Sequence, residues 1–188
     1  MKITLYTLLF SAYIFTCTSC MSSKSDSIRM ANEANKTRVS KDQKCDAKFA
    51  VCETDRGMLE AKLSDLQQLN GASPAVKKFS REQQQDQEKM NAELKALATK
   101  NNITVPDNLS ECSQKKFDKM AQKQGKKFDR AYLHCMEKGN KMQYCSYKME
   151  AKKGKDPEMK GWSSGKLTEV NKDIDETKDA CRQMKDEK

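Results

Sequence analysis

Apolar side chains recur every three, four or seven residues along much of this chain, which is the spacing of one face of an α-helix. The stripes predict four long helices and one short helix, over 42–69, 74–100, 110–123, 127–153 and 157–185. Polar residues interrupt the second stripe at Gln83 and Gln87, where the period demands apolar side chains. We therefore expect an all-α protein whose interior is partly polar.

Short breaks separate the long helices. The segment 70–74 predicts a tight turn, with Gly71 in the left-handed conformation and Ser73 as the cap of the next helix. The segment 154–157 repeats this arrangement, and residues 101–107 form a longer, extended crossing. Two tight hairpins joined by a long crossing predict a four-helix bundle with ferritin-like connectivity and a short crossover helix.

The first twenty residues have the order of a bacterial export signal. Lys2 gives a basic start, Ile3–Phe15 is a mostly apolar run, and Cys20 follows two small residues. The run is too short to cross a bilayer as a helix, which takes about 20 apolar residues. We expect Cys20 to become the acylated first residue of a lipoprotein anchored to the membrane. Cys17 stands where lipoprotein signals usually carry leucine, so cleavage without lipid is the alternative.

This signal sets the predicted division of the chain. Residues 1–20 are the signal peptide, 21–41 a flexible polar tether and 42–186 the helical domain, which faces the periplasm or the cell surface. The formal net charge of +9 suits an anionic surface as a partner, or another protein. Basic residues are interspersed with acidic ones and aromatic residues are few, so we expect no nucleic-acid binding.

Six cysteines follow Cys17 and Cys20. An even number of cysteines in an exported domain with a small apolar core predicts three disulfides. The bundle topology places Cys135 and Cys181 at one end and the other four cysteines toward the opposite end. The preferred pairs are Cys135–Cys181, Cys45–Cys112 and Cys52–Cys145. The domain is thus predicted to be disulfide-stapled.

The alternative use of these sulfur atoms is soft-metal binding. The sequence groups His134 with Cys135 and Met136, and Met142 and Met149 flank Cys145, a combination that suits Cu(I). Our preferred interpretation places Met136, Met142 and Met149 in the core and His134 at the surface, without a metal site or cofactor. The alternative function is that of a periplasmic copper- or thiol-handling protein.

Catalytic motifs are absent from the sequence. The chain contains one histidine, and it carries neither a Gly-rich phosphate loop nor the Glu-x-x-His signature of di-iron bundles. We therefore expect no enzyme. The leading functional hypothesis is a structural or binding module, anchored by lipid in the bacterial envelope.

Three segments have a distinctive order and spacing: Asn70 to Pro106, Leu109 to Met136 with its Phe128–Leu133 stretch, and Gly154 to Pro157. They resemble the bacterial family called domain of unknown function 4142, over roughly 49–181. The resemblance implies a ferritin-like helical bundle in exported envelope proteins, with no settled activity. Members commonly carry histidines at three interior positions. The matching residues here are Gln87, Asn140 and Asp173, so the resemblance implies a divergent member with polar interior positions but without the histidines.

Overall fold

The computed structural model describes residues 26–186 and is all-α over that range, as the sequence predicts. The helices are α1 (Ser27–Arg38), α2 (Lys44–Asn70), α3 (Pro74–Lys100), α4 (Glu111–Ala121), α5 (Gly125–Lys153) and α6 (Pro157–Asp186). The predicted signal peptide and its Cys20 lie outside the described residues. No helix within 26–186 is long and apolar enough to span a membrane.

Helix α1 corrects the prediction of a flexible tether over 21–41. It packs against α2, and two of its residues, Ala31 and Asn35, are buried. The Asn35 side chain binds the Thr104 backbone twice, since Nδ2 donates to the carbonyl at 2.8 Å and Oδ1 accepts from the N–H at 2.7 Å. Because α1 is held by hydrogen bonds from a polar side chain, its sequence has no regular apolar stripe. The periodicity of apolar residues therefore does not predict this helix.

The four long helices surround a common interior, because α2 and α6 each contact both α3 and α5. Contacts between α2 and α5 show an antiparallel register, with Gln67 beside Asp129 and Glu53 beside Ser146. Helix α4 lies along α2 and leads from the end of α3 to the start of α5. Asn70 holds its far end by donating to two backbone carbonyls there, at 3.0 and 3.3 Å.

Two apolar clusters fill the interior. The first includes Phe49, Met90, Leu94, Tyr147 and Val170, and the second includes Leu63, Val76, Phe79, Phe128 and Tyr132. The stripe of α3 that the sequence predicts to face inward is Val76, Phe79, Gln83, Gln87, Met90, Leu94 and Leu97, and all of these except Leu97 are buried. The period of the second predicted helix therefore identified its inward face.

The methionine prediction is wrong for two of three residues. Met136 is buried in the second apolar cluster, whereas Met142 and Met149 are 52% and 59% exposed. Both lie on the side of α5 that points away from the interior. Apolar character alone does not show which side of a helix a methionine occupies.

The turn between α2 and α3 has the predicted cap but another glycine geometry. The Oγ of Ser73 accepts a backbone N–H of α3 at 3.2 Å, as predicted. Gly71 has φ −74°, and Gly154 in the corresponding turn has φ −54°, so neither is left-handed. A Cβ on Gly71 would collide with the Gln67 side chain and lie 2.7 Å from Asp129 Oδ1. The glycine is required for this close approach.

Candidate functional site

A layer of buried polar side chains crosses the interior between the two apolar clusters. We call it the polar layer, and its members are Gln83 and Gln87 of α3, Asn140 and Gln143 of α5, and Asp173 and Thr177 of α6. None of these residues is more than 6% exposed. The layer contains all three positions that the resemblance matched to histidines.

Asn140 is the centre of the first group of hydrogen bonds. Its Nδ2 donates to Thr177 Oγ1 at 3.0 Å, to the Asp173 carbonyl at 3.3 Å and to Gln83 Oε1 at 3.4 Å. Gln83 Nε2 in turn donates to Asp173 Oδ1 at 3.0 Å. The structure thus brings Asn140 and Asp173 together through shared partners.

Gln87 belongs to a second group. Gln143 Nε2 donates to Gln87 Oε1 at 3.3 Å, and Gln87 Nε2 donates to Asn91 Oδ1 at 2.9 Å. The Oε1 atom of Gln143 is buried and has no hydrogen-bond partner in the described part of the chain. Most amide groups of the layer are therefore used by neighbouring side chains, as buried polar groups require.

Glu60 of α2 lies beside the polar layer. It is 3% exposed, and its Oε2 has no hydrogen-bond partner among residues 26–186. A Cβ on Gly139 would collide with Glu60 Oε1, so this glycine lets the carboxyl group lie against α5. One turn earlier, Arg56 pairs with Glu53 at 3.2 Å and donates to the Gly139 carbonyl at 3.1 Å. The Arg56 guanidinium thus pairs with Glu53, and its charge also acts on the nearby Glu60 carboxyl group.

Burial changes the protonation of the carboxyl groups around the layer. Desolvation raises the pKa of Glu60 to about 8, against the opposing effect of Arg56. Desolvation also raises the pKa of Asp173 to about 6, although the hydrogen bond from Gln83 opposes the shift. Glu60 is therefore mostly protonated at neutral pH. The polar layer can therefore form hydrogen bonds, and the Glu60 and Asp173 carboxyl groups can take up protons.

A buried aspartate fastens one turn of the helical hairpins. Asp129 is fully buried near the start of α5, and it accepts from Gln67 Nε2 at 2.7 Å and from the Ser73 backbone N–H at 3.0 Å. The N–H of Ala72 lies 3.2 Å from both carboxylate oxygens. The turn between α2 and α3 is thereby fixed to α5.

Two more aspartates act in the same way. Asp46 accepts the backbone N–H groups of Lys155 and Asp156 at 2.8 Å each, in the turn between α5 and α6. Asp55 accepts from the Ser110 backbone at 2.6 Å and from the Ser110 hydroxyl at 2.9 Å, at the start of α4. The sequence analysis missed all three aspartates. Their only signal is an acidic residue at an inward position of a helix.

The contacts of Asp129 and Asp46 lie in the segments that resemble the DUF4142 family. Asp129 belongs to the stretch 128–133 and binds the turn 70–74, while Asp46 binds the turn 154–157. The family described as "Domain of unknown function (DUF4142)" matches residues 30–180. The chain belongs to this family. No curated protein and no solved structure matches it.

In this DUF4142 member, the segments with the family pattern are the places where helices are fastened to one another. The polar layer is different, because amides and a carboxyl group stand at Gln87, Asn140 and Asp173. Imidazole nitrogen atoms can bind a metal ion, whereas carboxamides are weak ligands for transition metals. The role that histidines would have at these three positions does not carry over to this chain.

The compact sequence cluster around His134 is dispersed in space. His134 is exposed, Cys135 is half-buried and Met136 is buried, because successive residues of a helix project about 100° apart. They cannot surround one ion. Residues 26–186 contain no group of three or more His, Cys, Asp or Glu side chains that could hold a metal ion.

The six cysteines in the described range form no disulfide in the structure. Cys135 lies near the charges of Glu60 and Lys116, whereas Cys181 lies near Glu137. Residues 135 and 137 project about 200° apart around α5. Both cysteines pack against the second apolar cluster, and they are not bonded to each other.

The predicted pair Cys45–Cys112 is separated along α2. The hydrogen bonds from Ser110 to Asp55 place the first turn of α4 beside Asp55. Cys45 lies ten residues before Asp55, which is about 15 Å of helix. The Cα atoms of a disulfide are less than about 7 Å apart. This register does not allow the bridge.

The predicted pair Cys52–Cys145 is separated around α5. Ser146 lies beside Glu53, the residue next to Cys52 on α2. Its neighbour Cys145 is exposed and projects about 100° away from that contact. The six cysteines of the described range are free in the structure, and the stapled domain stays a prediction.

We expect two rates when the reduced full chain is treated with a maleimide. Burial raises the thiol pKa of Cys52, Cys135 and Cys181, which lowers their reactive thiolate fraction. The exposed residues Cys45, Cys112 and Cys145 should therefore be modified first. Time-resolved peptide mass spectrometry measures the order, with the urea-unfolded chain as control. Cysteine pairs that resist alkylation in protein isolated without reductant would contradict the free-thiol arrangement.

A basic cleft lies between α1 and α2. Its volume is about 230 Å³, and its walls include Lys36, Lys44 and Lys48 together with Asn32 and Asn35. Lys36 is paired with Glu33 at 2.7 Å. The cleft lies beside the C-terminal half of α1, so its lysines are at the end of that helix farther from the predicted anchor.

Proposed function

We propose that this DUF4142 member is an exported, lipid-anchored protein of the bacterial envelope, whose helical domain acts as a non-catalytic structural or binding module. The observation that supports a non-catalytic domain is the bonding within the polar layer. Asn140 Nδ2 donates to Thr177 and approaches Asp173 and Gln83, and Gln83 donates to Asp173. These hydrogen-bonded side chains position α3, α5 and α6 against one another.

The proposed architecture is a four-helix bundle with ferritin-like connectivity. Its support is the pairing of α2 with α3 and of α5 with α6 through short turns, together with the antiparallel register of α2 and α5. The crossing that contains α4 runs the length of α2 between the two hairpins. This order of connections is that of bundles with one long crossover.

Export and lipidation are supported by the order of charge and apolar residues in 1–20. The lysines of the cleft between α1 and α2 add a second, weaker attraction to an anionic membrane surface, because each lysine near such a surface contributes about 1 kcal/mol. Together they favour a protein held close to the membrane.

Metabolic labelling with a palmitate analogue in a bacterial host tests this proposal. We expect label on the full chain and retention in the membrane fraction after a high-salt wash. Cys20→Ser should lose the label and be released by salt, since screening weakens the remaining charge attraction. The matched variant Cys17→Ser should keep both properties. Equal labelling of the Cys20→Ser variant, or salt-releasable wild-type protein without label, would contradict lipid anchoring.

A further inference from the structure

The outward side of α5 carries three exposed sulfur atoms. Cys145 is exposed, and Met142 and Met149 on either side of it are two of the four large apolar side chains that are exposed in the described part of the chain. Large apolar side chains at such positions gain nothing from burial. Their presence beside a thiol therefore points to the sulfur atoms themselves.

Their spacing places the three sulfur-bearing side chains together. Met142 precedes Cys145 by three residues and Met149 follows it by four. Residues three and four apart on a helix have Cβ atoms about 5–6 Å from each other. All three side chains project within an arc of about 60°, and along the helix axis the thiol lies between the two thioethers. Flexible methionine side chains can close the remaining distance around one ion.

The rest of this surface lacks the ligands of hard cations. Every exposed residue of α5 between 138 and 152 is lysine, methionine or cysteine, so no exposed carboxylate stands among them. The neighbouring ammonium groups are engaged elsewhere, because Lys141 pairs with Glu137 at 2.6 Å and Lys148 lies 5.9 Å from the Tyr144 ring centroid. Thiolate and thioether sulfur select soft ions such as Cu(I) over oxygen-preferring ones.

We propose that Met142, Cys145 and Met149 bind one Cu(I) ion on the outward face of α5. Two thioethers and one thiolate coordinate the ion, and the Cys145 thiol releases its proton to water on binding. Copper enters and stays as Cu(I), so no electron is transferred. The single negative charge of the thiolate balances the charge of the ion. This site goes beyond the structural role proposed for the domain and does not depend on lipid anchoring.

The test uses the full chain with reduced thiols, without oxygen, and Cu(I) supplied in competition with a chromogenic Cu(I) chelator. We expect one equivalent to bind per chain. At one equivalent, peptide mass spectrometry should show Cys145 protected from alkylation, and the exposed Cys45 and Cys112 should stay reactive. Those two cysteines are matched controls, because neither has a methionine three or four residues away.

Replacing both methionines distinguishes a site of three sulfur ligands from binding of Cu(I) by the Cys145 thiol alone. The double variant Met142→Leu/Met149→Leu should weaken Cu(I) binding by on the order of 10- to 100-fold and abolish the selective protection. Cys45→Ser and Cys112→Ser should leave both unchanged. The substituted side chains are exposed, and circular dichroism confirms the fold of each variant. Equal protection of all three exposed cysteines, unchanged affinity of the double variant, or one ion shared by two chains would overturn the proposal.

Discussion

Replacing Asp129 by alanine is expected to lower the free energy of unfolding by about 3–5 kcal/mol. The carboxylate is fully buried and accepts from the Gln67 side chain and from the backbone N–H groups of Ala72 and Ser73. Truncation leaves these donors without an acceptor, and each buried donor without a partner costs about 1–3 kcal/mol. The turn between α2 and α3 also loses its attachment to α5.

Urea unfolding at pH 7, followed by far-ultraviolet circular dichroism, measures this change. Asp118→Ala is the matched control, because Asp118 is an exposed aspartate that accepts from Gln114 at 2.8 Å on its own helix. Its substitution should change the free energy of unfolding by no more than about 0.5 kcal/mol. Should Asp129→Ala lose less than about 1 kcal/mol, Asp129 would not fasten the turn.

The long helices were predictable because their stripes are regular. In α3, the positions from Val76 to Leu94 that the period marked as inward are buried, including Gln83 and Gln87. One side of α3 contacts other helices and the other side contacts water, so the pattern shows the orientation. The period therefore located two of the six residues of the polar layer, and the family resemblance marked Asn140 and Asp173 as well.

Helix α2 shows why Glu60 and the aspartates were missed. It contacts α1, α3, α4 and α5, so nearly every side of it is covered. Acidic residues such as Asp46, Asp55 and Glu60 are then buried on sides that a two-sided pattern would assign to water. No periodicity distinguishes them from surface acids. Their partners come from turns and helices that are distant in sequence.

The cysteine pairs could not be derived from the order of the helices for a related reason. The order of the helices shows which end of the domain a residue occupies, and this was enough to group Cys135 with Cys181. A disulfide also needs both Cβ atoms on facing sides, within about 4.5 Å. That condition depends on the rotation of each helix about its axis, which the order of the helices does not give.

Lowering the pH from 8.5 to 5 is expected to stabilise the folded domain, by on the order of 5–8 kcal/mol. Burial raises the pKa of Glu60 from 4.5 to about 8, of Glu150 from 4.5 to about 7 and of Asp173 from 3.8 to about 6. The folded state therefore binds more protons than the unfolded state between these values. The stabilisation is fully present below the unfolded pKa values and is lost as the pH rises through the folded ones.

Glu60→Gln removes the largest single contribution to this dependence. The amide is neutral at every pH and keeps the shape of the protonated acid, so the variant should be more stable than the wild type at pH 8.5. Its free energy of unfolding should change less between pH 5 and 8.5, as measured by urea unfolding at each pH.

The control is Glu137→Gln. The hydrogen bond from Lys141 lowers the pKa of Glu137, so this glutamate is already ionised at pH 5 and does not titrate between pH 5 and 8.5. A wild type that becomes more stable as the pH rises, or a Glu60→Gln variant with the wild-type pH dependence, would show that Glu60 is ionised in the folded interior.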